Sequence, residues 1–199
     1  MSRISKIEHE NWDPELRAMT RADEATVLER GTMRIMAHKP DTAKGFVSFF
    51  GALKAERTLP ERLLELVRLR IAFHNQCRSC MAVRYQDAAA EGVDEDLVCS
   101  LERPMEAEAL SDRERLAIDY GERLATNHLS IDDAYHDRLR GLFSEPEIVE
   151  LGMFCAVCVG FGRLGATWDM VEELPTRFQQ RDAGTVTPWG GGADTILVR

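Results

Sequence analysis

Apolar residues recur at helical spacing along most of the chain, and few stretches alternate with a period of two. Residues 1–13 are polar and aperiodic and read as an arm. A helix is predicted from Pro14 to about Arg30, with Gly31 as its stop signal. His38-Lys39-Pro40-Asp41 is a break with Asp41 as N-cap. Phe46, Val47, Phe49, Phe50 and Leu53 then form one helical face up to about Lys54. Thr58-Leu59-Pro60-Glu61 reads as a capping box. It opens a helix carrying Leu63, Leu64, Leu66, Val67, Leu69, Ile71, Ala72 and Phe73. Apolar on more than one side, that helix is expected at the centre of the fold. Asn75-Gln76 interrupts the pattern, and a new helix is predicted from Cys77 or Arg78 to Glu91, with Gly92 following it. A short helix near Asp94–Ser100 comes next. Ser111-Asp112-Arg113-Glu114 opens a helix to about Thr126, and Ser130 or Ile131 opens one ending near Arg140-Gly141. Ser144-Glu145-Pro146-Glu147 opens a long apolar helix from Ile148 to about Val171, closed by Pro175. The tail 181–199, with Gly190-Gly191-Gly192, has few helix formers. It is expected to be extended or disordered, lying on a neighbouring subunit. The reading is one all-α domain over 1–199, with its core at about 41–175 and a tail from about 176.

Composition narrows the function classes. The 199 residues hold 25 Lys+Arg against 34 Asp+Glu, a net charge of −9. This argues against nucleic acid or an anionic membrane as partner. Uninterrupted apolar runs fall short of the ~20 residues that span a bilayer, and Met1-Ser2-Arg3-Ile4-Ser5-Lys6 lacks the apolar stretch of a secretion signal. The expected compartment is the cytoplasm, where disulfides are usually catalytic rather than structural.

Five cysteines are present, and four of them form two Cys-x-x-Cys pairs, Cys77/Cys80 and Cys155/Cys158. The first pair falls at a predicted helix start, where a cysteine pKa is lowered and the reactive thiolate is favoured. The i, i+3 spacing lets the two sulfurs meet. Arg78 and Arg84 add positive charge, and on a continuous helix Arg84 shares a face with Cys77 and Cys80. Redox chemistry, half of a zinc site and inert packing all remain open for this motif. Glu65 can return to the cysteine helix if the two helices pack antiparallel, with Arg84 or Arg68 as its partner. The plainer reading is a surface Glu65–Arg68 pair. His74 lies about 180° around the helix from Glu65 and is read as a helix-end residue facing the dipole.

Glu65-Leu66-Val67-Arg68-Leu69-Arg70-Ile71-Ala72 followed by Cys77-Arg78-Ser79-Cys80 resembles the core signature of the AhpD-like superfamily, the alkylhydroperoxidases and carboxymuconolactone decarboxylase-family proteins. The resemblance covers about 59–93. Its layout is most similar to the peroxidase-related branch with added N-terminal helices. The resemblance implies an all-α helical bundle, a homo-oligomer (dimer, trimer or hexamer), and thiol-dependent reduction of hydroperoxides by an external thiol, with no cofactor and no metal. It assigns the sulfenic acid to Cys80, the resolving thiol to Cys77 and a proton-relay role to Glu65. The family carries a histidine where this chain has Arg84. Arginine is no base at neutral pH, so Arg84 is expected to stabilise a thiolate and an anionic leaving group instead. Asp87 is a candidate partner for Arg84, or a surface residue. Dipole reasoning favours Cys77 as the attacking sulfur; the resemblance favours Cys80.

The remaining signals are weaker. Cys155 and Cys158 lie within an apolar helix and read as core packing, the rival being a four-cysteine zinc site with Cys77 and Cys80. Cys99 also reads as packing. Gly152, Gly160, Gly162 and Gly165 point to close helix contacts, and Met153, Phe161 and Trp168 to core or interface. His128 and His136 read as solvated. A non-redox alternative has Arg84, Arg68 and His74 binding the carboxylate of a small lactone acid.

Overall fold

In the computed structural model, residues 1–182, 184–190 and 194–199 are described. Twelve α-helices appear among them: α1 Pro14–Met19, α2 Val27–Arg30, α3 Met33–Met36, α4 Pro40–Ala55, α5 Glu61–Asn75, α6 Arg78–Ala82, α7 Gln86–Ala90, α8 Glu95–Cys99, α9 Asp112–Thr126, α10 Asp133–Arg140, α11 Glu145–Trp168 and α12 Thr176–Gln179. Two short strands, β1 Val83–Tyr85 and β2 Ile196–Val198, pair in parallel. The all-α reading holds, with this ladder as its exception.

Helix α5 is the axis of the bundle. Leu66, Val67, Leu69 and Ile71 are fully buried, and α9 and α11 pack against it. The approach of α9 is close because position 121 has no side chain. A Cβ on Gly121 would sit 2.8 Å from Val67 Cγ1. Ser111 and Ser144 form capping boxes with Glu114 and Glu147, as their spacing predicts. The box at Thr58 does not form. The N–H and hydroxyl of Thr58 donate to Glu150 on α11 at 3.0 and 2.6 Å, and Glu61 pairs with Arg57. The nearby charged partners take both side chains away from the cap. Further along, α4 begins at Pro40, with Lys39 rather than Asp41 at its cap.

Helix α11 covers 24 residues and is by length and composition apolar enough to cross a membrane. Here it lays Leu151, Phe154 and Cys155 into the core. Its opposite face leaves Val149, Met153 and Leu164 exposed.

Both chain ends depart from expectation. The arm is pinned: Trp12 is buried, its indole N–H donates to Ile7 O at 2.8 Å, and Lys6 Nζ lies 2.7 Å from Glu172. The helix predicted over 14–30 breaks into α1 and α2. The tail packs on its own chain. Gln76, left-handed at φ 49°, clasps the Val186 backbone through both amide atoms at 2.9 and 3.1 Å. Trp189 is buried against Phe73, centroids 4.7 Å apart. Gly191 and Gly192 lie outside the described residues.

Candidate functional site

The turn at Asn75-Gln76 reverses the chain so that α6 packs beside α5. Cys77 is the N-cap of α6 and Cys80 lies within it, and their sulfurs are joined in a disulfide. Cys77 is fully buried, whereas Cys80 is half-buried and lines a groove of about 340 Å³. The sulfur of the pair that borders this groove is therefore that of Cys80. With only five residues, α6 contributes little more than one turn of dipole to the pair.

The fixed charge comes from α5. Glu65 is buried, and both its oxygens accept from Arg68, at 2.6 and 2.7 Å. Arg68 also donates to the carbonyls of Cys80 at 2.5 Å and Val83 at 3.0 Å. Burial opposes the charged guanidinium, but the Glu65 carboxylate outweighs it and raises the Arg68 pKa. So the Glu65–Arg68 pair predicted for the surface is buried, and it ties the carboxylate to the cysteine helix through one guanidinium. Sequence reasoning treated Arg68 mainly as a partner for Glu65 and missed it as the cation beside Cys80.

Arg84 goes elsewhere. The helix predicted over 77–91 stops at Ala82, and the chain runs extended through Val83–Tyr85, paired to Ile196–Val198. In a strand, neighbouring side chains point to opposite faces. Arg84 is buried against Glu95 at 2.8 Å and donates to Met81 O and Pro188 O. It holds the tail in place and does not line the groove, so its expected sharing of a face with Cys77 and Cys80 is corrected. Arg78 likewise donates to Gln180 O at 2.7 Å. His74 binds Glu122 at 3.3 Å rather than the helix dipole. Asp87 is a surface partner of Lys54, not of Arg84.

The groove is mostly apolar. Phe46, Phe50, Val157 and Phe161 line it, with Phe46 and Phe161 rings 4.1 Å apart. A second depression of about 280 Å³ shares Phe50, Arg68, Tyr85 and Cys158 with it and reaches Glu65. Tyr85 and Cys158 are groove residues that the sequence reading did not place there. The alternating Val83-Arg84-Tyr85 was the available signal for Tyr85, and Phe46 and Phe50 share a helical face in the sequence. A polar depression of about 460 Å³ opens beside Arg78 and Ser79, and neither cysteine lines it.

Cys155 is buried and its thiol pKa is raised well above the usual value by burial. Burial pushes the Cys158 thiol up to about 12 although Arg68 works the other way. Cys99 is exposed, not packed. Among the described residues, Glu8, His9 and Glu10 are the group close enough to share a metal ion. The cysteines form no such set, so the four-sulfur zinc arrangement is corrected. Gly162 does mark a close contact, since a Cβ there would lie 2.4 Å from Asn75 Nδ2; Gly160 faces open space.

Comparison with known proteins places this geometry. Residues 40–123 match the model of the carboxymuconolactone decarboxylase family. The uncharacterized protein Rv2313c of Mycobacterium tuberculosis is 36% identical over 117 residues, covering 57% of this chain and 40% of the relative. The uncharacterized protein YnjA of Escherichia coli is 26% identical over 130 residues, covering 65% and 69%. The chain thus spans about 40% of the length of its mycobacterial relative. Among solved structures, the debrominase Bmp8 in complex with 2,3,4-tribromopyrrole is similar at TM-score 0.67 and 18% identity, covering 85% of this chain and 90% of that one. The AhpD core of a peroxidase-related protein from Ralstonia eutropha is similar at TM-score 0.66 and 18% identity, covering 83% and 89%.

Proposed function

We propose that this chain, whose residues 40–123 match the model of the carboxymuconolactone decarboxylase family and whose fold is AhpD-like, is a thiol-dependent peroxidase for organic hydroperoxides. The observation that carries this reading is the Cys77–Cys80 disulfide, with the half-buried Cys80 opening on an apolar groove beside the Arg68 guanidinium.

In the reduced protein the Cys80 thiolate attacks the outer oxygen of the hydroperoxide. The S–O bond forms, the O–O bond breaks, and the alkoxide leaves with a proton as the alcohol. The Cys77 thiol then attacks the sulfenic sulfur. The disulfide forms, and hydroxide takes the Cys77 proton and departs as water. An external dithiol returns the pair to the reduced state by exchange. Arg68, with its charge fixed by Glu65, favours the thiolate over the thiol. The aromatic lining suits an apolar body on the peroxide better than hydrogen peroxide itself.

The lactone-acid alternative loses its cation cluster, because Arg84 is paired with Glu95 and His74 with Glu122. Self-association belongs to the proposal as well. Val149, Met153, Ala156, Gly160 and Leu164 form an exposed stripe of helical spacing on α11 with no charge in it, and a second copy is its proposed occupant. Light scattering on wild type and Met153→Glu tests this: a larger species in wild type reduced to monomer in the variant supports it, and a monomeric wild type removes it.

The central experiment is thiol-coupled consumption of cumene hydroperoxide by wild type, Cys80→Ser and Cys77→Ser. Loss of turnover in both variants is expected. Equal activity in all three overturns the reading.

A further inference from the structure

Reduction of an alkyl hydroperoxide expels an alkoxide, a poor leaving group that needs a proton as the O–O bond breaks. Arg84 cannot supply it, being buried in its contacts with Glu95 and the carbonyls of Met81, Val83 and Pro188. Glu65 is closed off by both of its bonds to Arg68. A different residue of the same segment lines the groove that Cys80 lines.

Because residues 83–85 are a strand, the side chain next to Arg84 lies on the other face. Val83 and Tyr85 both line the groove that Cys80 lines, and Arg84 does not. The Tyr85 ring sits 5.0 Å from the Arg68 guanidinium, the group that also bonds the Cys80 carbonyl. Among the described residues its hydroxyl has no hydrogen-bond partner, so it is free to donate. The parallel pairing of Tyr85 with Val198 fixes the backbone from which the ring projects.

Resting on the peroxidase reading, we propose that Tyr85 is the catalytic acid of this site and protonates the departing alkoxide. The Cys80 thiolate bonds the outer oxygen, the O–O pair goes to the alkoxide, and the Tyr85 O–H proton passes to that oxygen. Alcohol and a tyrosinate result, and the tyrosinate recovers a proton from water. A phenol of ordinary pKa near 10 is protonated at neutral pH, and partial desolvation at the groove raises the Tyr85 value although the residue stays exposed on one side. Cys158 also lines the groove but is a poor donor, since S–H hydrogen bonds are weak.

A leaving-group comparison distinguishes acid catalysis from packing. The reduced protein, as wild type, Tyr85→Phe and Cys158→Ala, is mixed in stopped flow with cumene hydroperoxide or with a peracid, whose carboxylate leaves without help. Tyr85→Phe is expected to slow the hydroperoxide about 100-fold, the lower range for general acid catalysis, with the peracid rate within about twofold of wild type. Cys158→Ala is expected to leave the ratio of the two rates unchanged. Equal slowing of both oxidants in Tyr85→Phe, no slowing of either, or a selective loss in Cys158→Ala overturns the assignment. A wild type inert to both oxidants removes the peroxidase reading and this one together.

Discussion

The chain contains the same four-residue motif twice, and the two copies have opposite chemistry. Cys77-Arg78-Ser79-Cys80 straddles a turn and the first residues of a short helix, and it is closed as a disulfide. Cys155-Ala156-Val157-Cys158 lies inside a 24-residue helix with both thiols free and their pKa values raised by burial. Spacing is therefore not what decides whether a cysteine pair closes. The first pair has a non-helical N-cap and a buried guanidinium on its carbonyl. The second has an unbroken helix around it, and its Arg68 neighbour is outweighed by desolvation.

The sharpest test of that contrast is turnover. Cys80→Ser is expected to abolish it and Cys77→Ser to stop after one oxidation, whereas Cys155→Ala and Cys158→Ala stay within about twofold of wild type in a coupled peroxide assay. Alkylation followed by mass spectrometry tests the same difference chemically. Native oxidised protein should label at Cys99, reduction should add Cys80, Cys158 should label far more slowly than Cys80, and Cys155 only on denaturation. Stability comes next. Glu65→Gln leaves the Arg68 charge buried without its counter-ion, at a cost of about 3–5 kcal/mol in urea unfolding. Changing both residues to Leu and Met should recover much of it. On the second pair's helix, Gly162→Ala pushes a Cβ into Asn75 and should destabilise by about 1–3 kcal/mol. Gly160→Ala, in open space, should stabilise the isolated chain by about 0.5–1 kcal/mol. The smallest effect is at acid pH. The close His74 imidazole, with two hydrogen bonds from Arg70 acting against burial, holds Glu122 down to about 2. Its stabilising contribution is complete above the ordinary carboxylate range and is lost as pH falls toward 2, so Glu122→Gln should flatten that limb of the pH–stability curve.

Much of the bundle was legible because helical periodicity and caps are local. The boxes at Ser111 and Ser144, the burial of α5 and the break at Asn75-Gln76 follow from neighbouring residues. The cysteine pair and Glu65 were legible too, by spacing and resemblance. The failures share one cause, contacts between distant segments. Glu150 takes Thr58 away from its cap, residues 196–198 draw Val83–Tyr85 out of a helix, and Lys6 and Trp12 fasten an arm whose own residues are polar. The misplacement of Arg84 and the omission of Tyr85 both descend from that one unseen strand.

The ladder between Val83–Tyr85 and Ile196–Val198 also fixes an order of events in time. Ribosomes add about 5–20 residues per second, so Cys77 and Cys80 exist for on the order of 10 s before the segment that walls their groove has been made. Over that interval the two cysteines stand without the wall that Val198 and Arg199 later supply. The groove beside Cys80 takes its final shape only when residues 196–199 reach it.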